Sequence, residues 1–163
     1  MLQAAVDLLR EGGFAAVTHR AVAQKAALPL AATTYYFTSR DHLLAAAFAQ
    51  LVDDDLTTLR AWTAKHGLAR LPHHADRLTQ LGLWELYVHA GRDPALQAIA
   101  RTWTDGCVAI VADTLRLPQD HPQVRLAYAL ITTAWIEHVV EERPTPHLHD
   151  LLKNTSSPDE TPQ

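Results

Sequence analysis

Residues 12–47 read GGFAAVTHRAVAQKAALPLAATTYYFTSRDHLLAAA, and this stretch carries the signals that decide the fold. Thr18 stands where an N-cap would begin a short helix that ends near Lys25. After a break, Pro29 suits the first turn of another short helix, which ends near Phe37. Two short helices joined by a tight turn are the layout of a helix-turn-helix unit, whose second helix enters a major groove of DNA.

Helices are predicted on both sides of this pair. A first short helix covers Ala4–Arg10 and is closed by the glycine pair at 12–13. A long amphipathic helix begins with Ser39 or Thr38 as its N-cap and runs to about Lys65. Further helices are predicted at 75–90, 95–117 and 123–141, without strand-like alternation between them. Asp93 is the predicted N-cap of the second of these, with Pro94 at its first helical position.

The fold class expected from this pattern is all-α. The predicted domains are a helix-turn-helix DNA-binding domain at 1–40, a helical effector-binding and dimerisation domain at 41–143, and a largely disordered tail at 144–163. The helix at 75–90 is apolar almost all round, which predicts a position inside the bundle.

The last predicted helix differs from the others because it carries two apolar arcs. One arc holds Val124, Ala127, Ile131, Ala134 and Trp135, and the other holds Leu126, Ala129, Ile136 and Val140. Two apolar faces require two partners, and the second partner is either another copy of the chain or a further element of the same monomer.

Composition limits the class of protein. The chain has 163 residues, of which 48% are hydrophobic and 20% charged, so an ordinary globular protein is expected. The one cysteine, the absence of a signal-peptide pattern and the lack of a membrane-length apolar run predict a cytoplasmic location. Residues 1–40 carry a net charge of +2 within a chain of net charge -4, so the basic excess lies where a polyanion would bind.

Some fifteen positions between about residues 4 and 50 agree in order and spacing with a known family. They include the phenylalanine after the glycines, Val-Thr, Arg-Ala-Val-Ala, the aromatic cluster, and Ser-Arg-Asp leading into Leu-Leu. The stretch resembles the DNA-binding domain of the TetR (tetracycline-repressor-like) transcriptional regulators. The resemblance implies that the protein is a homodimer that binds a palindromic operator in double-stranded DNA. It also implies that the protein represses transcription and that a small-molecule effector releases it from the operator.

The resemblance also implies which residues would contact DNA. On the family's pattern, base edges would be met by Leu30, Ala31, Ala32 and Thr34, phosphates by Thr18, His19, Tyr35, Tyr36 and Arg40, and either by Arg20. The apolar set expected to form the core beneath them is Ala5, Leu9, Phe14, Val17, Val22, Ala23, Ala26, Leu28 and Phe37. Two alternatives stay open: the tyrosines could complete this core with Phe37, and Arg40 could pair only with nearby carboxylates.

Two features depart from the family's pattern. Ala27 occupies the turn position where glycine is usual, and alanine would add about 1 kcal/mol of strain if that residue needs a positive φ. The usual basic lead-in before the first helix is also missing, so either the true start lies upstream or DNA binding is weaker and more salt-sensitive.

Candidate ligand-binding residues lie in the predicted effector domain. They are Trp84, Glu85, His89, Trp103 and Cys107, with Tyr128, Trp135 and His138 as further possible walls. Glu85 and His89 lie one turn apart and interrupt an apolar helix, so they could offer polar groups to a ligand or could face solvent. For the aromatic residues, plain core packing is the alternative.

Other classes of function have little support in the sequence. A di-iron bundle needs two Glu-x-x-His motifs and the chain has none, and it also lacks a nucleophile elbow and a phosphate-binding glycine loop. No enzyme activity, metal or cofactor is therefore expected. The alternative to a regulator is a helical ligand-binding or protein-interaction module with a truncated N-terminus that does not bind DNA.

Overall fold

In a computed structural model of the chain, residues 1–68 and 76–144 are described, and the regular elements in these ranges are all α-helices. The helices are α1 (Leu2–Ala16), α2 (His19–Lys25), α3 (Leu30–Tyr36), α4 (Arg40–His66), α5 (Arg77–Ala90), α6 (Pro94–Leu115) and α7 (Pro122–Val139). The predicted all-α class is confirmed. The predicted tail lies outside these ranges, apart from Pro144.

The chain divides into two compact units. Residues 1–57 and 75–104 form the first, and residues 58–74 and 105–163 form the second. The first unit contains α1, α2, α3, α5 and the beginnings of α4 and α6, around a core in which Phe48, Leu9 and Leu83 are almost fully buried. These compact units do not test the predicted boundary at residue 40 between a DNA-binding and an effector domain, which stays a prediction.

Side-chain caps begin several helices where the sequence predicts them. Thr18 Oγ1 accepts from the Ala21 N–H at 3.1 Å, and Ser39 Oγ accepts from the His42 N–H at 3.0 Å. Asp93 Oδ1 accepts from the Ala95 N–H at 2.8 Å, directly before Pro94 at the start of α6. Each cap satisfies a backbone donor that the helix itself leaves unpaired.

Asp76 caps α5 in the same way. Its carboxylate accepts from the Thr79 N–H at 3.0 Å and from the Thr79 hydroxyl at 2.7 Å. Partial burial alone would raise the pKa of Asp76, but these hydrogen bonds favour the charged form and hold the pKa below its usual value. The carboxylate is therefore charged at the positive end of the α5 dipole.

The glycine pair interrupts the first helix as predicted, because Gly13 has the non-helical angles φ 67° and ψ -165°. The range of α1 is nevertheless longer than Ala4–Arg10, since it begins at Leu2 and includes a further helical segment after Gly13 that ends at Ala16. Residues that carry a Cβ atom rarely adopt this backbone conformation, whereas glycine adopts it without a steric clash.

The exposure of side chains on α7 and α5 tests two predictions made from the sequence. The first arc of α7 is buried, whereas Leu126, Ile136 and Val140 of the second arc are 44%, 37% and 51% exposed, so α7 is not central to its own monomer. The expectation that α5 lies wholly inside the bundle is wrong, because Leu78 and Val88 are exposed.

No helix in the described ranges has the length and apolar character that a bilayer span requires.

Candidate nucleic-acid interface and ligand cavity

The turn between α2 and α3 is the first part of the candidate DNA-binding site. Ala27 has φ 53°, so the turn does require the left-handed conformation at this position. The Leu28 N–H donates to the Ala23 carbonyl at 2.9 Å and the Ala27 N–H donates to the Gln24 carbonyl at 3.2 Å, which closes the end of α2. This pattern is a Schellman-type helix end, in which glycine is the favoured residue.

Replacing Ala27 with glycine is therefore expected to stabilise the protein. The Ala27→Gly variant should raise the free energy of unfolding by about 0.5–1 kcal/mol, because it removes the left-handed strain of a side chain at φ 53°. Urea denaturation monitored by circular dichroism measures this change. A lower stability than the parent chain would show that the conformational freedom of glycine outweighs the strain.

The outer face of α3 is the surface that this turn presents. Thr33 faces inward and is fully buried, and its hydroxyl donates to the Leu30 carbonyl at 2.8 Å. The neighbouring candidate contacts Leu30, Ala31, Thr34, Tyr35 and Tyr36 are exposed, and Ala32 is half-buried. Leu30, Ala31 and Thr34 thus share one accessible face of a short helix, whereas the half-buried Ala32 lies at its edge. The small side chains on this face permit a close approach to base edges.

The two tyrosines do not belong to the core. Tyr35 is 82% exposed and Tyr36 is 63% exposed, with their rings edge to face at a centroid distance of 5.3 Å. The alternative in which they complete the core with Phe37 is therefore wrong. Phe37 is itself half-buried and packs against the ring of His42 at 5.4 Å.

Most of the predicted core beneath the helix-turn-helix is buried, with one clear exception. Ala5, Leu9, Val17, Val22 and Ala23 are buried, whereas Phe14, Ala26 and Phe37 are half-buried. Leu28 is 41% exposed, so its assignment to the core is wrong.

Two of the four basic side chains in residues 1–40 lie close to carboxylates within the first unit. Lys25 Nζ lies 2.9 Å from Glu11 Oε1, and Arg10 Nη2 lies 3.5 Å from Asp54 Oδ2. Arg20 is exposed on α2 and forms no ion pair with any described residue. Arg20 is thus the side chain best placed to neutralise a phosphate, while Thr18 and His19 are half-buried at the start of the same helix.

Arg40 organises the backbone next to this surface. Its Nε donates to the Val17 carbonyl at 2.9 Å and its Nη2 donates to the Phe14 carbonyl at 2.6 Å. Its guanidinium also lies 4.8 Å from the centre of the Phe14 ring. Instead of the carboxylate pairing considered as an alternative, Arg40 ties the start of α4 to the segment between α1 and α2.

Glu85 and His89 make a second connection to Phe14. The Phe14 N–H donates to Glu85 Oε2, and the His89 ring stacks on the Phe14 ring with centroids 3.6 Å apart. A Cβ atom at Gly13 would lie 2.7 Å from Glu85 Oε2, so the glycine is needed for the carboxylate to approach. The structure therefore places both residues against the kink of α1, and their proposed contact with a ligand is not supported by this geometry.

Trp84 and Trp103 lie in an aromatic cluster of the first unit. Their rings meet edge to face at 6.3 Å, and Tyr87 lies 5.3 Å from Trp103. The Trp103 indole N–H donates to Asp55 Oδ2 at 2.9 Å, and the Asp55 carboxylate is buried. These contacts are those of a packed core with a satisfied polar group, which was the alternative to ligand binding.

A cavity lies in the second unit, between α6, α7 and the last part of α4. The space that a water-sized sphere can occupy in it is about 20 Å³, enough for about one water molecule. The lining side chains are Leu59, Cys107, Ile110, Val111, Tyr128, Ile131, Thr132 and Trp135. Of the candidate ligand residues, the structure brings together Cys107, Tyr128 and Trp135 here, and it places Trp84, Glu85, His89 and Trp103 elsewhere.

Four aliphatic residues and Thr132 of this lining had no distinguishing signal in the sequence. Leu59, Ile110, Val111 and Ile131 lie on helix faces that read as ordinary core, and only packing decides where a core leaves a gap. His138 contacts the Arg143 carbonyl at the end of α7 and is not part of the lining. In the part of the chain that the structure describes, no group of three potential ligand side chains could hold a metal ion.

Two family profiles match most of the chain. Residues 1–47 match the profile of bacterial regulatory proteins of the tetR family, and residues 64–157 match that of the tetracyclin repressor-like C-terminal domain. No curated protein sequence is a significant match.

Solved structures with the same fold are similar over nearly their whole length. The multidrug binding protein EbrR in complex with proflavin has a TM-score of 0.74 and 26% identity, over 94% of this chain and 95% of EbrR. A member of the TetR family from Streptomyces coelicolor A3 has a TM-score of 0.74 and 26% identity, over 94% of both chains. A protein from Streptomyces coelicolor A3(2) has a TM-score of 0.80 and 25% identity, over 96% of both chains.

The two profile matches and these structures agree with the geometry of the site. A helix-turn-helix with an accessible second helix precedes a helical domain with an apolar cavity, in the order that the matched profiles have along the chain. The chain therefore belongs to the TetR family of bacterial transcriptional regulators, with a helix-turn-helix DNA-binding domain and a ligand-binding domain.

Proposed function

We propose that the protein is a repressor that binds a palindromic operator as a homodimer and leaves it when a small molecule occupies the effector domain. Residues 1–40 would contact DNA and residues 41–143 would bind the effector and the second copy. The observation that carries this proposal is the accessible face of α3, where the exposed phenol rings of Tyr35 and Tyr36 lie beside small, exposed side chains.

The roles on this face follow from chemistry. Leu30, Ala31 and Ala32 offer methyl and methylene groups, which can contact thymine methyls, and Thr34 adds one hydroxyl. Tyr35 and Tyr36 can donate to phosphate oxygens on either side of the groove, as can Thr18, His19 and Arg20. Hydrogen-bond readout of bases would be sparse, so sequence-dependent DNA shape would carry more of the specificity.

Arg40 would have a double role in this proposal. Two of its donors are already used on the backbone carbonyls of Phe14 and Val17, so it would hold the domain together and offer its remaining N–H groups to a phosphate. Substituting Arg40 would consequently mix a loss of stability with a loss of affinity. Tyr35 and Arg20 are cleaner positions for a test, because both are exposed.

Dimerisation would use the exposed arc of α7. Leu126, Ala129, Thr133, Ile136 and Val140 are all exposed and alternate at intervals of three and four residues, which forms a continuous stripe on a helix. Burying this stripe against a second copy would remove apolar surface from water. Operator reading would then require the two α3 helices to stand about 34 Å apart, one turn of B-DNA.

The effector part of the proposal is supported by the cavity of the second unit and by relatives that bind small molecules. EbrR is a multidrug binding protein whose structures include complexes with proflavin and with ethidium. A ligand that binds the form with wrongly spaced recognition helices more tightly shifts the population away from DNA. No catalytic step is needed, and the protein would act in the cytoplasm, on bacterial DNA.

Fluorescence anisotropy with duplexes from the DNA upstream of its own gene tests the DNA-binding part. We expect one duplex to be preferred over random duplex, and the Tyr35→Ala variant to bind it about tenfold more weakly, a loss of about 1.4 kcal/mol. The Arg20→Ala variant should lower the slope of log affinity against log salt by about 1. Val88→Ala, an exposed change on α5, serves as the control and should bind as the parent does.

The same experiment separates the proposal from its alternative. If no duplex is preferred over random DNA at about 50 mM salt, DNA recognition fails and a ligand-binding or protein-interaction module remains. Melting curves of the variants check their folding, and no large change is expected because both substituted side chains are exposed.

A further inference from the structure

We infer that the cavity of the second unit selects neutral, largely apolar molecules and rejects aromatic cations such as proflavin. The inference rests on the proposed function, because it names the chemical class of the effector for the effector domain. It concerns the part of the chain that the structure describes, where α6 contributes Cys107, Ile110 and Val111, and α7 contributes Tyr128, Ile131, Thr132 and Trp135.

Among the residues that the structure describes, the lining is apolar in character and contains no acidic or basic side chain. Leu59, Ile110, Val111 and Ile131 supply aliphatic surface, and all four are buried. Polar atoms enter only through the Tyr128 and Thr132 hydroxyls, the Trp135 indole and the Cys107 thiol. These groups can orient a neutral ligand through one or two hydrogen bonds, which is the usual make-up of a small-molecule site.

A cation in this cavity would lose water without gaining an opposite charge. Removing an ion from water is strongly unfavourable unless a counter-charge replaces the lost hydration. The Tyr128 and Trp135 rings could attract a cation through their faces, but such an attraction offsets only a small part of that cost. A neutral apolar molecule has no such cost and gains by removing its own surface and that of the lining from water.

The cavity is small in this structure. The space that a water-sized sphere can occupy is about 20 Å³, so a ligand larger than water would enter by displacing the half-buried Tyr128 and Thr132 side chains. The buried aliphatic side chains would form one wall, and the half-buried Tyr128 and Thr132 lie where polar atoms of a ligand could reach them. The expected class is thus a compact uncharged molecule with one or two polar atoms.

Competing fluorescence titrations of the full chain test this selectivity. The probes are N-phenyl-1-naphthylamine, which is neutral and apolar, and proflavin, which is a planar cation. We expect the neutral probe to bind at least tenfold more tightly than proflavin. Equal affinities, tighter binding of proflavin, or no binding of either probe would overturn the inference.

Placing one carboxylate in the cavity should reverse the preference. The Thr132→Glu variant should bind the neutral probe at least tenfold more weakly and proflavin more tightly than the parent chain does. Thr102→Glu is the matched control, because it makes the same change at an exposed position of α6 outside the lining and should leave both affinities within twofold. An equal effect of both substitutions would overturn the assignment to this cavity.

Cys107 locates the bound probe without any substitution. It is the one cysteine in the chain and it lines the cavity, so the rate of thiol modification by a maleimide reports on occupancy. Saturating neutral probe should slow this modification at least fivefold, and proflavin at the same concentration should not. A modification rate unaffected by the neutral probe would place binding elsewhere, even if Thr132→Glu failed to fold.

The outcome is separable from that of the proposed function. If the chain prefers one duplex and also prefers proflavin, the regulator stands and the ligand class is wrong. If no duplex is preferred but the neutral probe protects Cys107, the ligand class stands and the regulator is wrong.

Discussion

Replacing Ile136 with glutamate is expected to turn the proposed homodimer into a monomer. Ile136 lies in the middle of the exposed stripe of α7 and is 37% exposed in the single chain. In a dimer that buries this stripe, the new carboxylate would lose its water without a partner, which costs several kcal/mol. The dissociation constant of the dimer should therefore rise at least a hundredfold, or about 2.7 kcal/mol.

Sedimentation equilibrium measures the result directly. The parent chain should have twice the 18.0 kDa mass of one copy, and the Ile136→Glu variant should have the mass of one copy. Val88→Glu is the matched control, because Val88 is 75% exposed on α5 and lies outside the stripe, so this variant should remain dimeric. Retention of the dimer by Ile136→Glu would show that the α7 stripe is not the interface.

Loss of the dimer should also reduce operator binding. A monomer presents one α3 helix and contacts one half-site, so it cannot combine the two half-site affinities that a palindromic operator offers. If Ile136→Glu bound the full operator as tightly as the parent did, the proposal of a dimeric reader would be contradicted even with a change of mass.

Replacing Gly13 with alanine is expected to destabilise the first unit by about 3 kcal/mol. A side chain in the conformation of Gly13, φ 67° and ψ -165°, costs about 1–3 kcal/mol by itself. The new Cβ would also lie 2.7 Å from Glu85 Oε2, so the carboxylate would have to move away from the Phe14 N–H. Leaving that donor unsatisfied adds about 1–3 kcal/mol.

Two further variants separate these costs in urea denaturation. Gly67→Ala is the matched control, because Gly67 has φ 69° but open space around a Cβ, so it should lose only about 1 kcal/mol. Against a Glu85→Ala background, Gly13→Ala should lose less stability than against the parent, since the displaced carboxylate is already gone. An effect of Gly13→Ala no larger than that of Gly67→Ala would show that the Glu85 carboxylate can move away without a loss of stability.

The cluster around Phe14 explains why this small site matters to the DNA-binding surface. Glu85 holds the Phe14 N–H, Arg40 holds its carbonyl, and the ring lies against His89 as well as the Arg40 guanidinium. The segment that leads from α1 to α2 is thereby fixed from both α4 and α5. Changes at Gly13 or Glu85 should consequently weaken DNA binding without touching DNA.

Local signals account for what could be predicted of the fold. Thr18, Ser39 and Asp93 cap helices where the sequence predicts, and Ala27 does adopt the positive φ that its position in the turn suggested. Capping and turn chemistry act over three or four residues, so they can be read without knowing the rest of the chain. The two apolar arcs of α7 could also be predicted from the sequence, because helical periodicity places the residues of each arc on one face of the helix.

The candidate sites also differ in whether short-range sequence patterns or the packing of distant helices determine them. By itself the sequence determined an all-α chain with a helix-turn-helix and an accessible α3, because short-range patterns carry that information. Only the tertiary structure decided that Glu85 and His89 meet Phe14 across more than 70 residues, and that Cys107, Tyr128 and Trp135 line a cavity with aliphatic neighbours. Contacts between distant residues depend on how whole helices pack, and neither composition nor periodicity records where that packing leaves a gap.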